Sequence, residues 1–156
     1  MLTVNIPATG VLELNHIVLD FNGTIACDGK LLPGVAEKLN LLSDKLDIHI
    51  LTADTFGTCA EACRGIRGSV NILAEPAGTK EKESFVTALG ASKTAAVGNG
   101  ANDCMMLRAA ALGILVIEKE GAAVKSLQAA DVVVTDISHA LDMLLQPKRL
   151  TATLRG

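Results

Sequence analysis

The sequence predicts a three-layer α/β fold, a parallel sheet with helices on both faces, and two observations carry that reading. Short apolar runs alternate with stretches of helical spacing almost to the end of the chain, and strict alternation implies right-handed crossovers between parallel strands. The chain also has no Trp or Tyr and only three Phe. Its core must therefore come from Leu, Val, Ile and Ala, the residues that suit strands buried on both sides. At 156 residues, 49% hydrophobic and 20% charged, the expected organisation is a single globular domain over residues 1–156.

The elements follow in order. Leu2 to Ile6 and Val11 to Leu14 flank Pro7-Ala8-Thr9-Gly10 and read as an N-terminal β-hairpin leading into the first parallel strand, His16 to Leu19. Apolar residues at helical spacing from Gly34 to Lys45 precede the strand Ile48 to Leu51. A helix from Thr55 to Ile66 precedes the run Val70 to Leu73, and one from Lys80 to Leu89 precedes Thr94 to Val97. Asn102 to Ala110, Gly113 to Ile117, Ala122 to Ala129, Val132 to Val134 and Ile137 to Leu145 complete the alternation. Lys148 to Gly156 reads as a solvated tail.

Composition excludes several classes. A formal charge of −3 provides no basic field for nucleic acid. No apolar run approaches the roughly 20 residues that span a bilayer, and Met1 to Ile6 resembles a strand more than a signal peptide; a cytoplasmic protein is expected. Cys27, Cys59, Cys63 and Cys104 form no Cys-x-x-Cys pair. Cys59 and Cys63, one turn apart, read as small buried thiols and not as half a metal site.

Ligands of such sheets bind outside the carboxyl ends of the strands, and three strand ends carry chemistry. Asp20 follows Ile17-Val18-Leu19 and opens Asp20-Phe21-Asn22-Gly23-Thr24. A half-desolvated carboxylate there can serve as a nucleophile or a metal ligand, although such a stretch is equally a structural Asx turn. Thr52 ends the next strand, and its hydroxyl is suited to a phosphate oxygen; Asp54 reads as a helix cap. Gly98-Asn99-Gly100-Ala101-Asn102-Asp103 is an oxygen-rich loop of the kind hard Mg²⁺ favours, or a glycine turn with a cap. A lysine near the start of the helix from Lys80 could clamp a phosphoryl group.

These segments, in this order, resemble the motifs of the haloacid dehalogenase superfamily: Asp-x-Asp-Gly-Thr, a Thr or Ser after the second strand, a Lys, and Gly-Asp-Gly-x-Asn-Asp. The chain is most similar to the phosphorylation domain of P-type ATPases and to the small stand-alone proteins called soluble P-type ATPase-like hydrolases. Thr52-Ala53-Asp54 resembles their Thr-Gly-Asp, Ala129-Ala130-Asp131-Val132 their Ala-Ala-Asp-Val, and Pro76 to Leu89 their Pro-x-x-Lys-x-x-x-Val-x-x-Leu helix, which selects Lys82 over Lys80.

The resemblance implies an HAD-like, Mg²⁺-dependent hydrolase in which Asp20 becomes an aspartyl phosphate. It implies that Asp20, the Asn22 carbonyl and Asn99 or Asp103 hold the metal. Thr52, Ala53 and Lys82 would hold the phosphoryl group, with Gly23 and Thr24 supplying loop donors and shape. Without a membrane span, actuator domain or nucleotide-binding insertion, ion pumping is not expected.

Two family carboxylates are replaced. Asn22 stands where phosphatases have the Asp that protonates the leaving oxygen and later activates water, help typically worth about 10²- to 10⁴-fold. Asn99 stands where the metal-binding Asp is expected. The expected substrates are small phosphates with good leaving groups (ATP, acyl or aryl phosphates), with slow dephosphorylation. The alternatives are a capless sugar-phosphate phosphatase and a catalytically degenerate phosphate- or nucleotide-binding regulatory module. Neither Ile25 to Leu32 nor Asn71 to Thr79 is long enough for a cap domain, so an open site, or one covered in a homo-oligomer, is expected.

Overall fold

The computed structural model describes residues 1–54 and 57–156. Its centre is a six-stranded sheet of β3 (His16–Asp20), β6 (Asp47–Thr52), β7 (Ser69–Ile72), β8 (Thr94–Gly98), β9 (Leu112–Val116) and β10 (Val132–Val134). The strand order is β10-β9-β8-β3-β6-β7, and every pairing is parallel. The chain runs outward from β3 through β6 to β7, then returns to the other side of β3 with β8. The carboxyl ends of β3 and β8 therefore flank the point where the winding reverses, where open α/β sheets leave a crevice.

Alternate residues along these strands enter two cores. Ile17, Leu19, Ile48, Ile50, Ala95, Val97 and Ile114 join the larger one. It also takes the apolar faces of α1 (Val35–Leu42) and α6 (Ile137–Leu145). Val18, Leu51, Ala96 and Leu115 face the smaller one. That core is closed by Val86 of α3 (Thr79–Leu89) and by Met106 and Leu107 of α4 (Cys104–Ala109).

The hairpin of β1 (Leu2–Ile6) and β2 (Gly10–Leu14) forms as expected, with Leu2 opposite Leu14. It is a separate two-stranded sheet and does not extend the central one; Leu2, Val4 and Ile6 bury one face in the larger core. Lys148–Leu154 is a helix, α7, where a solvated tail was expected. Leu150 is fully buried, Leu154 packs one turn later against the same cluster, and the Thr151 hydroxyl donates to the Asn5 carbonyl at 3.0 Å.

The second helix is shorter than expected: α2 covers Thr58–Ala62, and the expected start at Thr55 lies outside the described residues. A small hairpin of β4 (Ala26–Cys27) and β5 (Lys30–Leu31) was not anticipated. Its turn residues Asp28 and Gly29 have φ of 50° and 74°, as a two-residue turn between right-twisted strands requires.

Candidate active site

Three adjacent strands end at one cleft. β3 delivers Asp20, β6 delivers Thr52, and β8 delivers the Gly98-Asn99-Gly100 loop. Lys82 enters from α3 and is 1% exposed. Its ammonium donates to Asp20 Oδ1 and to Asp103 Oδ1, both at 2.6 Å. The second oxygen of Asp103 accepts from the backbone N–H groups of Asn99 (2.9 Å) and Gly100 (2.8 Å). Asp103 thus fixes both the lysine and the loop. Glycine is required at position 98, because a Cβ there would lie 2.6 Å from Asp103 Cγ.

The turn after Asp20 is equally constrained. Gly23 has φ of +79°, and a Cβ on it would lie 2.4 Å from the Asn99 amide nitrogen. The buried Thr24 hydroxyl is within reach of Asp20 Oδ2 (3.3 Å) and Asn99 Oδ1 (3.0 Å). The Asn99 side chain donates to the Gly121 carbonyl at 3.0 Å. Asp54 accepts from the Cys59 N–H at 2.8 Å and so caps the first turn of α2.

Burial, and then the neighbouring Asp103, push the Asp20 carboxyl up to about 7, against the opposing pull of Lys82 and Thr24. Burial depresses the Lys82 ammonium, but Asp20 and Asp103 more than offset this and hold it above its usual range. Two carboxylates share one ammonium, so the floor carries one excess negative charge when both are ionised. Together with the oxygens of Asn22 and Asn99 at the same cleft, that donor set fits a hard divalent cation such as Mg²⁺.

Of the residues singled out in the sequence, Asp20, Asn22, Thr52, Ala53, Lys82 and Asn99 line this cleft of about 600 Å³. Asp103 is fully buried, with its oxygens committed to Lys82 and the loop amides. It lies in the floor and does not line the cleft, whereas Asn99 does. Gly23 and Thr24 do not present free loop donors. The Gly23 N–H donates to the Ala26 carbonyl (2.8 Å) and the Thr24 N–H to Phe21 (3.3 Å), so these residues contribute shape. Asp28 and Glu120 also line the cleft and were missed. The Asp-Gly pair was a readable turn signal for Asp28; nothing in the sequence marks Glu120.

No family model matches the chain. It is 52% identical over 63 residues to the uncharacterized protein MJ0073 of Methanocaldococcus jannaschii, covering 40% of this chain and 68% of that one. It is 56% identical over 39 residues to MJ0072 of the same organism, covering 25% and 89%. Probable cation-transporting ATPase I of Mycobacterium leprae is 31% identical over 125 residues, which are 78% of this chain and 8% of that protein.

Among solved structures, the fold matches 3-deoxy-D-manno-octulosonate 8-phosphate phosphatase from Moraxella catarrhalis, in complex with magnesium, phosphate and KDO. The TM-score is 0.69 at 15% identity, over 89% of this chain and 90% of that one. A subfamily III A hydrolase from Legionella pneumophila gives 0.73 at 13%, over 92% and 88%. A zinc-transporting PIB-type ATPase gives 0.63 at 25%, over 79% of this chain and 20% of that one.

The chain has the fold of haloacid dehalogenase hydrolases and is related in sequence to part of a cation-transporting ATPase. It belongs to one family with the two archaeal proteins. Among the described residues, no helix is long and apolar enough to cross a membrane.

Proposed function

We propose that the protein is a single-domain, Mg²⁺-dependent phosphohydrolase that acts on small phosphates through an aspartyl phosphate on Asp20. The observation that carries this reading is the strand-end carboxylate at 2.6 Å from a buried lysine, itself anchored by Asp103. One oxygen of Asp20 attacks phosphorus, the bond from phosphorus to the leaving oxygen breaks, and that oxygen departs with its electron pair. Lys82 neutralises charge on the phosphoryl oxygens, worth more here than in water because the group is buried. Thr52, 3% exposed at the end of β6, offers its hydroxyl to the same oxygens. Asp20, Asn22 and Asn99 are the residues that would hold Mg²⁺, which supplies charge neutralisation at the phosphoryl group.

Asn22 lines the cleft but can neither protonate a leaving oxygen nor take a proton from water. Substrates that need no acid, such as aryl or acyl phosphates and ATP, are therefore favoured, and the phosphoenzyme breaks down slowly. A Mg²⁺-dependent screen of phosphate esters and anhydrides, with Asp20→Asn as the blank, tests the reading; hydrolysis retained by Asp20→Asn contradicts it. Asn22→Asp is expected to speed hydrolysis of an aryl phosphate by about 10-fold or more, measured as steady-state turnover, and an unchanged rate removes the role given to Asn22. The two Asn replacements also favour a second reading, a binding module without turnover. A beryllofluoride adduct combined with no burst of phosphoenzyme would select it.

A further inference from the structure

The floor of the cleft presents a cationic side chain, and the described residues of its rim do not. At the floor, Lys82 uses two of the three hydrogens of its ammonium on Asp20 and Asp103, and as a buried cation lining the cleft it marks the phosphoryl end. At the rim, Asp28, Asp54 and Glu120 line the same cleft, and among the described lining residues Lys82 is the one cationic side chain. Asp28 sits in the turn between β4 and β5, and Glu120 in the loop between β9 and α5 (Val124–Leu127). The Asp28 N–H donates to Glu120 Oε1 at 3.3 Å, which joins the two walls although they lie far apart in sequence. Asp54 is partly committed to α2, so Asp28 and Glu120 carry the rim's free charge.

We infer that this cleft selects phosphates whose remaining part is cationic or uncharged and rejects those bearing a second anionic group, with an aryl phosphate that carries an ammonium group as the best-matched class. The inference deepens the proposed function and rests on it. A substrate with an ammonium group places its phosphoryl end over Asp20 and Lys82 and its cation between Asp28 and Glu120. A carboxylate or a further phosphate in that position meets two carboxylates, and Lys119, which lies near Cys27 but does not line the cleft, balances one of them at most. Within the class of good leaving groups, aryl and acyl phosphates with neutral or cationic remainders then rank above nucleoside triphosphates.

The structure supplies a probe of this field that is independent of turnover. Cys27 is partly exposed beside the rim, whereas Cys59, Cys63 and Cys104 are buried. Its sulfur and the carboxylates of Asp28 and Glu120 lie within 4.8 Å of one another. Burial, and then the charges of Asp28 and Glu120, hold this thiol above its usual range against the opposing pull of Lys119.

Alkylthiolation of Cys27 is measured with a trimethylammonium methanethiosulfonate and its sulfonate analogue at low ionic strength. The cationic reagent is expected to react about 10-fold faster or more. Asp28→Asn with Glu120→Gln, or raised salt, should collapse that preference. Equal rates for the two reagents in the wild type overturn the inference, whatever the enzyme's activity. The parallel assay compares kcat/KM for phenyl phosphates carrying an aminomethyl, a hydroxymethyl or a carboxymethyl group, with Mg²⁺. The ratio of the first to the last is expected to exceed about 10 and to fall toward unity in the double variant. Turnover without charge ranking overturns the inference and leaves the proposed function standing. No Asp20-dependent turnover on any phosphate removes the proposed function and the inference with it, even where the thiol probe reports a negative rim.

Discussion

On one face of the central sheet, α1, α6, α7 and the N-terminal hairpin bury a continuous set of Leu, Ile and Val side chains. The opposite face carries a smaller apolar cluster under α3 and α4, and α3 also drives Lys82 inward. The first face can be stable for the ordinary reason, removal of apolar surface from water. The second spends part of its interior on Lys82 and Asp103, with Asp20 at its edge, an arrangement whose desolvation cost its Coulomb attraction barely repays. Stability and the candidate chemistry are thus divided between the two sides of one sheet.

The strongest way to break the contrast is Lys82→Met. It leaves Asp20 and Asp103 without their shared cation, and removing one partner of a buried ion pair costs about 3–5 kcal/mol. Denaturant unfolding is expected to show that loss, and Asp20-dependent turnover to disappear. Stability within about 1 kcal/mol of wild type would mean that the charges are better solvated than their burial indicates.

The complementary variant is Leu144→Ala on the thick face, where the side chain is fully buried. A cavity there costs about 2–5 kcal/mol, while kcat/KM at a temperature where the variant remains folded is expected to stay near the wild-type value. A fall in turnover matching that of Lys82→Met would show that the two faces are not separable.

A smaller effect sharpens the comparison through pH. The Asp20 carboxyl titrates at about 7 in the folded protein, against 3.8 when unperturbed. Folding therefore retains a proton that the unfolded chain gives up. The associated stability is full below about pH 4 and is lost as pH rises through about 7. Thermal unfolding of the metal-free protein is expected to show a declining Tm across that window, relieved by Mg²⁺ at the upper end. Asp20→Asn should flatten the slope, since Lys82 keeps Asp103 as its partner. An equal slope in that variant would assign the titration to another group.

Much of the architecture was legible because it depends on local signals. Alternating apolar runs located the parallel strands, and the positions of Asp20, Thr52 and Asn99 directly after such runs placed them at one end of the sheet. The selection of Lys82 over Lys80 came from the motif and not from periodicity, since both lie in the first turn of α3. What stayed hidden depends on contacts distant in sequence. Asp103 lies only four residues from Asn99, yet whether it faces a metal or the floor is decided by Lys82 of another helix. Glu120 meets Asp28, 92 residues away in sequence. The short β4–β5 hairpin has strands of two residues each, too brief to show alternation. The C-terminal segment carries Lys148, Arg149 and Arg155, and those charges masked the pairing of Leu150 with Leu154.

The central claim concerns one oxygen of Asp20 and one phosphorus atom, and covalent trapping reads it directly. The protein is mixed with acetyl phosphate and Mg²⁺, quenched in acid, and the peptide carrying Asp20 is weighed. The expected result is the added mass of one phosphoryl group on Asp20, absent in Asp20→Asn and longer-lived in wild type than in Asn22→Asp. An unmodified Asp20 under conditions where the substrate is consumed, or a phosphoryl group on another residue, would contradict it.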